Sequence, residues 1–131
     1  MISVEYPDEA PSKTILLVED EAPVRRLLCE MLAGKYKVLE SRDGIEAVSV
    51  FEKNVAKILV VITDIEMPRL NGDILTEWIH TIRPELPVIL ISARERNDDS
   101  ISGLLESDRV EFLGKPFDIW QLEELIERAV A

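Results

Sequence analysis

Two hydrophobic periods alternate along the chain, and no other feature restricts its fold as tightly. Short unbroken apolar runs stand at residues 15–18, 58–62 and 88–91, the pattern of β-strands covered on both faces. Weaker runs at 36–39 and 110–113 bring the expected strands to five. Between the runs, apolar residues recur at helical spacing: Val24, Leu27, Leu28, Met31 and Leu32; then Ile45, Val48 and Phe51; then Ile74, Leu75, Trp78, Ile79 and Ile82. Each stripe is expected to bury one helical face. Local signals agree. Pro23 suits the first turn of a helix, and the pairs Asp43/Glu46 and Asp118/Gln121 have capping-box spacing. A helix at 98–106 is expected to be the weakest, because only Ile101, Leu104 and Leu105 form its stripe while Ser100, Ser102 and Gly103 are poor helix formers. Strand and helix in alternation mean parallel strands joined by right-handed crossovers, an α/β doubly wound sheet of five strands flanked by five helices.

The length of 131 residues suits one domain. Residues 14–131 are expected to form it. Residues 1–13, MISVEYPDEAPSK, carry two prolines and three acids without a basic flank or an extended apolar stretch, so they read as a flexible leader or linker and not as a secretory signal. The longest clearly apolar run, 58–62, falls far short of the ~18 residues of a membrane span. Fifteen Lys and Arg against 26 Asp and Glu leave a net charge of −11, which argues against direct binding to nucleic acid or anionic lipid. The single cysteine, Cys29, excludes an internal disulfide and fits a reducing cytoplasm, the expected location.

Sheets of this kind bind ligands beyond the carboxyl ends of their strands. Strand 1 runs into Glu19 and Asp20, strand 3 into Asp64, strand 4 into Ser92, and strand 5 into Lys115, which precedes Pro116. Any one of these has an ordinary explanation as a cap or a solvated side chain; the set does not. Clustered carboxylates must raise a pKa, pair with a cation or bind a metal. Oxygen ligands of this kind suit Mg²⁺, which keeps several waters and accepts a phosphoryl oxygen. A carboxylate beside Mg²⁺ and a lysine is able to take up a phosphoryl group, because the cations neutralise charge on the equatorial oxygens. Asp64 is the expected acceptor.

The stretches ILLVEDE, ITDIEMPRLNG, ILISAR and FLGKPF, in this order and spacing, resemble the signature set of bacterial response-regulator receiver domains, over nearly the whole chain from Thr14. The resemblance implies a flavodoxin-like sheet of strand order 2-1-3-4-5. It implies that Asp64 is phosphorylated by a histidine kinase or phosphotransfer protein, and that Asp20, Glu19, Asp64 and the backbone carbonyl of Glu66 hold Mg²⁺. Lys115 would pair with the phosphoryl oxygens, Ser92 would capture one of them, and Phe112 takes the aromatic switch position. Lys115-Pro116 resembles the family's cis peptide. An output partner on the face of helix 4, strand 5 and helix 5 is implied, as is a homodimer of the phosphorylated form.

The chain also departs from the family pattern. Glu19 stands where aspartate is usual, Ser92 where threonine is commoner, and Phe112 where tyrosine is common, so a switch ending in a phenol hydrogen bond is ruled out. Glu66 and Arg94, each two residues past a site residue, are expected to flank the site's mouth and gate attacking water. His80 lies off its helix stripe and is expected at the surface. Trp120 falls opposite the stripe Leu122, Leu125, Ile126 and Ala129, so it is either an exposed partner contact or a ring folded over its own helix. Two other functions compete. A haloacid-dehalogenase-like phosphatase also uses a strand-end aspartate, but it needs an aspartate where Glu66 stands. A pseudo-receiver would act as an interaction module without phosphate.

Overall fold

The computed structural model describes residues 13–93 and 99–131. Its elements follow in the order β1 (Thr14–Val18), α1 (Ala22–Leu32), β2 (Lys37–Ser41), α2 (Gly44–Lys53), β3 (Ile58–Asp64), α3 (Gly72–Ile82), β4 (Val88–Ser92), α4 (Asp99–Ser102), a 3-10 turn (Leu104–Glu106), β5 (Val110–Gly114) and α5 (Ile119–Val130). All strand pairs are parallel, in the order β2-β1-β3-β4-β5. The strength of each apolar run is explained by its place in the sheet. β1 and β4 are buried at every residue and β3 at all but Leu59, whereas the edge strands β2 and β5 expose part of their length. An edge strand has a neighbour on one side only and tolerates charge there.

Alternate residues of the strands feed two cores. Leu16, Val18 and Val61 pack with Phe51 of α2 and Leu75 and Ile79 of α3 on one face. Ile15, Leu17, Val60 and Ile62 pack with Leu28 and Leu32 of α1 and with Leu122 and Ile126 of α5 on the other. The helical stripes are wider than these contacts. Leu27 and Met31 remain 53% and 45% exposed on α1, and Ile45, Ile74 and Ile82 are exposed as well, because a helix lying on a sheet covers only part of its apolar arc.

The helix expected at 98–106 is replaced by one α-helical turn, Asp99–Ser102, and the separate 3-10 turn. Ser102 and Gly103 interrupt it; residues 94–98 lie outside the described chain. Both caps form, with one difference. Asp118 and Gln121 make the full reciprocal box at 3.0 and 2.9 Å. The Asp43 carboxylate accepts from the Glu46 amide at 2.8 Å, but Glu46 itself accepts from the Arg42 amide and guanidinium in place of the Asp43 amide. His80 is not a free surface residue: it is half-buried, with Nε2 2.8 Å from the Leu86 carbonyl. The expected leader lies outside the described residues except for Lys13. Among the described residues no helix is long and apolar enough to cross a membrane.

Candidate functional site

The carboxyl ends of β1, β3, β4 and β5 bring Glu19, Asp20, Asp64, Ser92 and Lys115 to one rim. Glu19, Asp64 and Ser92 are 2%, 5% and 4% exposed, which is unusual burial for the two carboxylates. Asp20 faces solvent. One carboxylate oxygen from each of Glu19, Asp20 and Asp64 lies within 4.8 Å of the others. Lys115 Nζ stands 3.1 Å from Asp64 Oδ1 and 4.0 Å from Glu19 Oε1. The Lys115 amide donates to the Ser92 carbonyl at 2.8 Å, and the peptide bond to Pro116 is cis, as the resemblance implies.

The loop after Asp64 is held at both ends. Gly72 donates its amide to the Ile65 carbonyl at 2.7 Å. A Cβ there would collide with the Asp64 carbonyl, and a Cβ on Gly44 would collide with the Leu70 carbonyl. Arg69 takes a φ of 73° and reaches Asp43 at 3.5 Å, and Asn71 Oδ1 accepts from the Met67 amide at 3.2 Å. The sequence offers no separate sign of Arg69 or Asn71; the dipeptides Asp43-Gly44 and Asn71-Gly72 are the available signal.

Electrostatics follow from burial. Glu19 is pushed up from 4.5 to about 8, chiefly by desolvation and then by its hydrogen bond with and repulsion from Asp64; the Glu21 amide and Lys115 oppose this without prevailing. This favours the protonated form of Glu19 near neutrality. Burial also raises Asp64, although its contacts with Glu19 and Lys115 pull it back. Burial disfavours the Lys115 ammonium, but Asp64 and Glu19 outweigh it and raise its pKa. Asp64 Oδ1 is fully buried, and among the described residues no donor is well aligned to it even though Lys115 is near. Crowded buried acids with a poorly satisfied oxygen offer a place for a cation. The donor set of carboxylate oxygens fits a hard divalent ion.

Among the remaining expected residues, Glu66 is exposed and Phe112 is half-buried against the core on the α2 and α3 face. Arg94 lies outside the described residues. Trp120 is 72% exposed, so its ring does not fold over its own helix. An open apolar hollow of about 740 Å³, which the sequence pattern does not reveal, lies beside the rim, lined by Val24, Leu27, Met31, Lys115, Phe117 and Ile119. Leu27 and Met31 had been assigned to a buried helix face, which concealed it.

Residues 15–127 match the family described as the response regulator receiver domain. Similar curated proteins include the sensor kinase CckA of Brucella abortus, 32% identical over 127 residues, covering 92% of this chain and 13% of that protein. Another is the response regulator GtcR of Aneurinibacillus migulanus, 37% identical over 109 residues, covering 82% of this chain and 43% of that protein. The chain thus spans less than half the length of either. Similar solved structures include the receiver domain of the hybrid histidine kinase CckA, at TM-score 0.76 and 34% identity over 90% of this chain and 99% of that one. The response regulator TrrA of Thermotoga maritima, solved in complex with Mg²⁺-BeF, gives TM-score 0.77 and 30% identity over 89% of this chain and 98% of that one.

Proposed function

The chain belongs to the family of response regulator receiver domains, the phosphoacceptor switches of two-component signalling, and on that premise we propose that Asp64 is its acceptor. The observation that carries this is the buried Asp64 carboxylate with Lys115 Nζ at 3.1 Å and two further acids converging on it. An Asp64 oxygen forms the new bond to phosphorus as the bond from phosphorus to the donor's imidazole nitrogen breaks, and the imidazole keeps the electron pair. Lys115, held as an ammonium by Asp64 and Glu19, pairs with the equatorial oxygens. The Ser92 hydroxyl captures one of them.

Glu19, Asp20, Asp64 and the Glu66 carbonyl would hold Mg²⁺, which when bound neutralises negative charge on the transferring group. Bound there, the cation would compete with a proton for Glu19. The phosphoryl donor is a histidine kinase or phosphotransfer protein, as the relatives' chemistry suggests. The apolar hollow is where a helical donor surface would rest, because Lys115, the cation beside Asp64, forms part of its lining. The output passes through α4, β5 and α5, with Phe112 as the switch, the exposed Trp120 as a contact for an output partner, and dimerisation of the phosphorylated form as one consequence. Glu66, two residues past the acceptor, gates attacking water. The domain acts in the cytoplasm as a signalling domain. The phosphatase and phosphate-independent readings are set aside, since the family match spans the chain and the acceptor set is complete.

The test is acetyl phosphate with Mg²⁺, read by intact mass. Wild type gains one hydroxylamine-labile phosphoryl group and Asp64→Asn gains none. Undiminished labelling of that variant refutes the assignment.

A further inference from the structure

We infer that Arg25 is a positioning residue for the cation site: its guanidinium locks the loop that carries Glu19 and Asp20, although it touches neither carboxylate. Arg25 is near the N-terminal end of α1, where the helix dipole favours acids and disfavours a cation. α1 also lacks a side-chain cap, and no acid occupies its first turn. A half-buried arginine at this point contradicts local preference, and such contradictions concentrate where function overrides stability.

The contacts explain what it does. Arg25 Nη1 donates to the Glu19 backbone carbonyl at 2.8 Å, and Nε lies 3.4 Å from Glu40 Oε1 on β2, with the arginine side chain only 13% exposed. The ladder of β1 ends at Val18, paired with Ser41 on one side and Thr63 on the other, so the Glu19 carbonyl lies past the last ladder pair. Arg25 supplies the missing donor. Glu19 is also fixed at its amide, which donates to the Ser41 carbonyl at 3.1 Å, and at its side chain, where Oε2 accepts from the Glu21 amide at 3.1 Å. Two of these three restraints run to β2, one directly and one through Arg25 and Glu40.

That arrangement addresses a specific difficulty. The ligand atoms of three acids crowd within 4.8 Å of one another, and Asp20 is exposed. A loop restrained only by its own backbone would open between cations and have to be reordered at each binding event. Restraint beforehand removes that cost from the affinity, as outer contacts generally do for metal sites. Arginine suits the task because its planar fork addresses a carbonyl and a carboxylate in different directions at once, which a lysine ammonium on a flexible stem does not reproduce.

The inference rests on the reading that Glu19 and Asp20 hold Mg²⁺, and titration calorimetry with MgCl₂ separates the two. Wild type, Asp20→Asn, Arg25→Met and Arg25→Lys are compared, each with its melting temperature recorded without metal. If wild type binds no Mg²⁺, or Asp20→Asn binds as tightly as wild type, the cation reading itself fails. With that reading intact, Arg25→Met is predicted to raise the Kd for Mg²⁺ by about tenfold or more, and Arg25→Lys by a smaller factor. Should Arg25→Met fail to fold, Arg25→Lys decides. A lower melting temperature with wild-type Kd in every folded Arg25 variant would make Arg25 a stability contact only and overturn the inference.

Discussion

The two ends of the sheet handle buried charge in opposite ways. At the amino end of the strands, Arg83 follows α3 and donates Nη1 to the carbonyls of Val55 and Ile58 at 2.7 and 2.6 Å, while Nε reaches Glu85 at 3.0 Å. His80 closes the same end on the Leu86 carbonyl. One cation there meets several acceptors. At the carboxyl end, Glu19 and Asp64 are buried together with Lys115 as a nearby cation, and burial and its neighbour push the Glu19 carboxyl toward its protonated form. One end is satisfied and the other is held ready for a ligand. The difference teaches that stability and chemistry are assigned to opposite rims of one small fold.

The largest expected effect tests the satisfied end. Arg83→Met leaves two carbonyls without their donor and should destabilise the protein by about 3 kcal/mol in urea titration, while the Kd for Mg²⁺ stays at its wild-type value. A variant that lost both would show that the rims are coupled. Next in size is the cation itself. Mg²⁺ at a hundredfold excess over its Kd should stabilise wild type by about 2.7 kcal/mol, Arg83→Met by the same increment, and Asp20→Asn by clearly less.

A smaller effect is the pH dependence without metal. The folded pKa of Glu19, about 8, lies above its ordinary 4.5, so the folded state binds the extra proton between these values. That contribution is fully present below pH 4.5 and is lost as pH rises through about 8; the upward shift of Asp64 acts in the same sense. Stability in EDTA should therefore fall across this window with a slope of at most about 1.4 kcal/mol per pH unit for one proton. Glu19→Gln should flatten it, and an unchanged slope in that variant would assign the proton elsewhere. In wild type the Mg²⁺ increment should grow over the same interval, since metal and proton compete.

Much of this contrast was legible in the sequence at one end and little at the other. The acids and lysine of the carboxyl rim stand where apolar runs stop, so a strand pattern alone locates Glu19, Asp20, Asp64, Ser92 and Lys115. Both N-caps carried their spacing openly, although Glu46 turned to Arg42. Arg25 and Arg83 left no such trace, because each acts on backbone carbonyls, six residues away for Arg25 and 25 and 28 residues away for Arg83, and any residue supplies a carbonyl. The exposure of Leu27 and Met31 was equally hidden: periodicity tells which residues share a helix face but not how wide a strip the sheet covers. The short α4 was visible only as weak propensity at Ser102 and Gly103.

The most direct test of the unequal rims is the melting temperature of wild type and Asp64→Asn, with and without Mg²⁺, about one unit above the Glu19 pKa of about 8. There the Glu19 proton is gone and the acids face Lys115 uncompensated. Asp64→Asn should melt higher than wild type in EDTA and gain less from Mg²⁺, because one charge has left both the repulsion and the ligand set. A variant that melts lower in EDTA and gains as much from Mg²⁺ as wild type would make Asp64 a structural residue and the carboxyl rim no different in kind from its opposite.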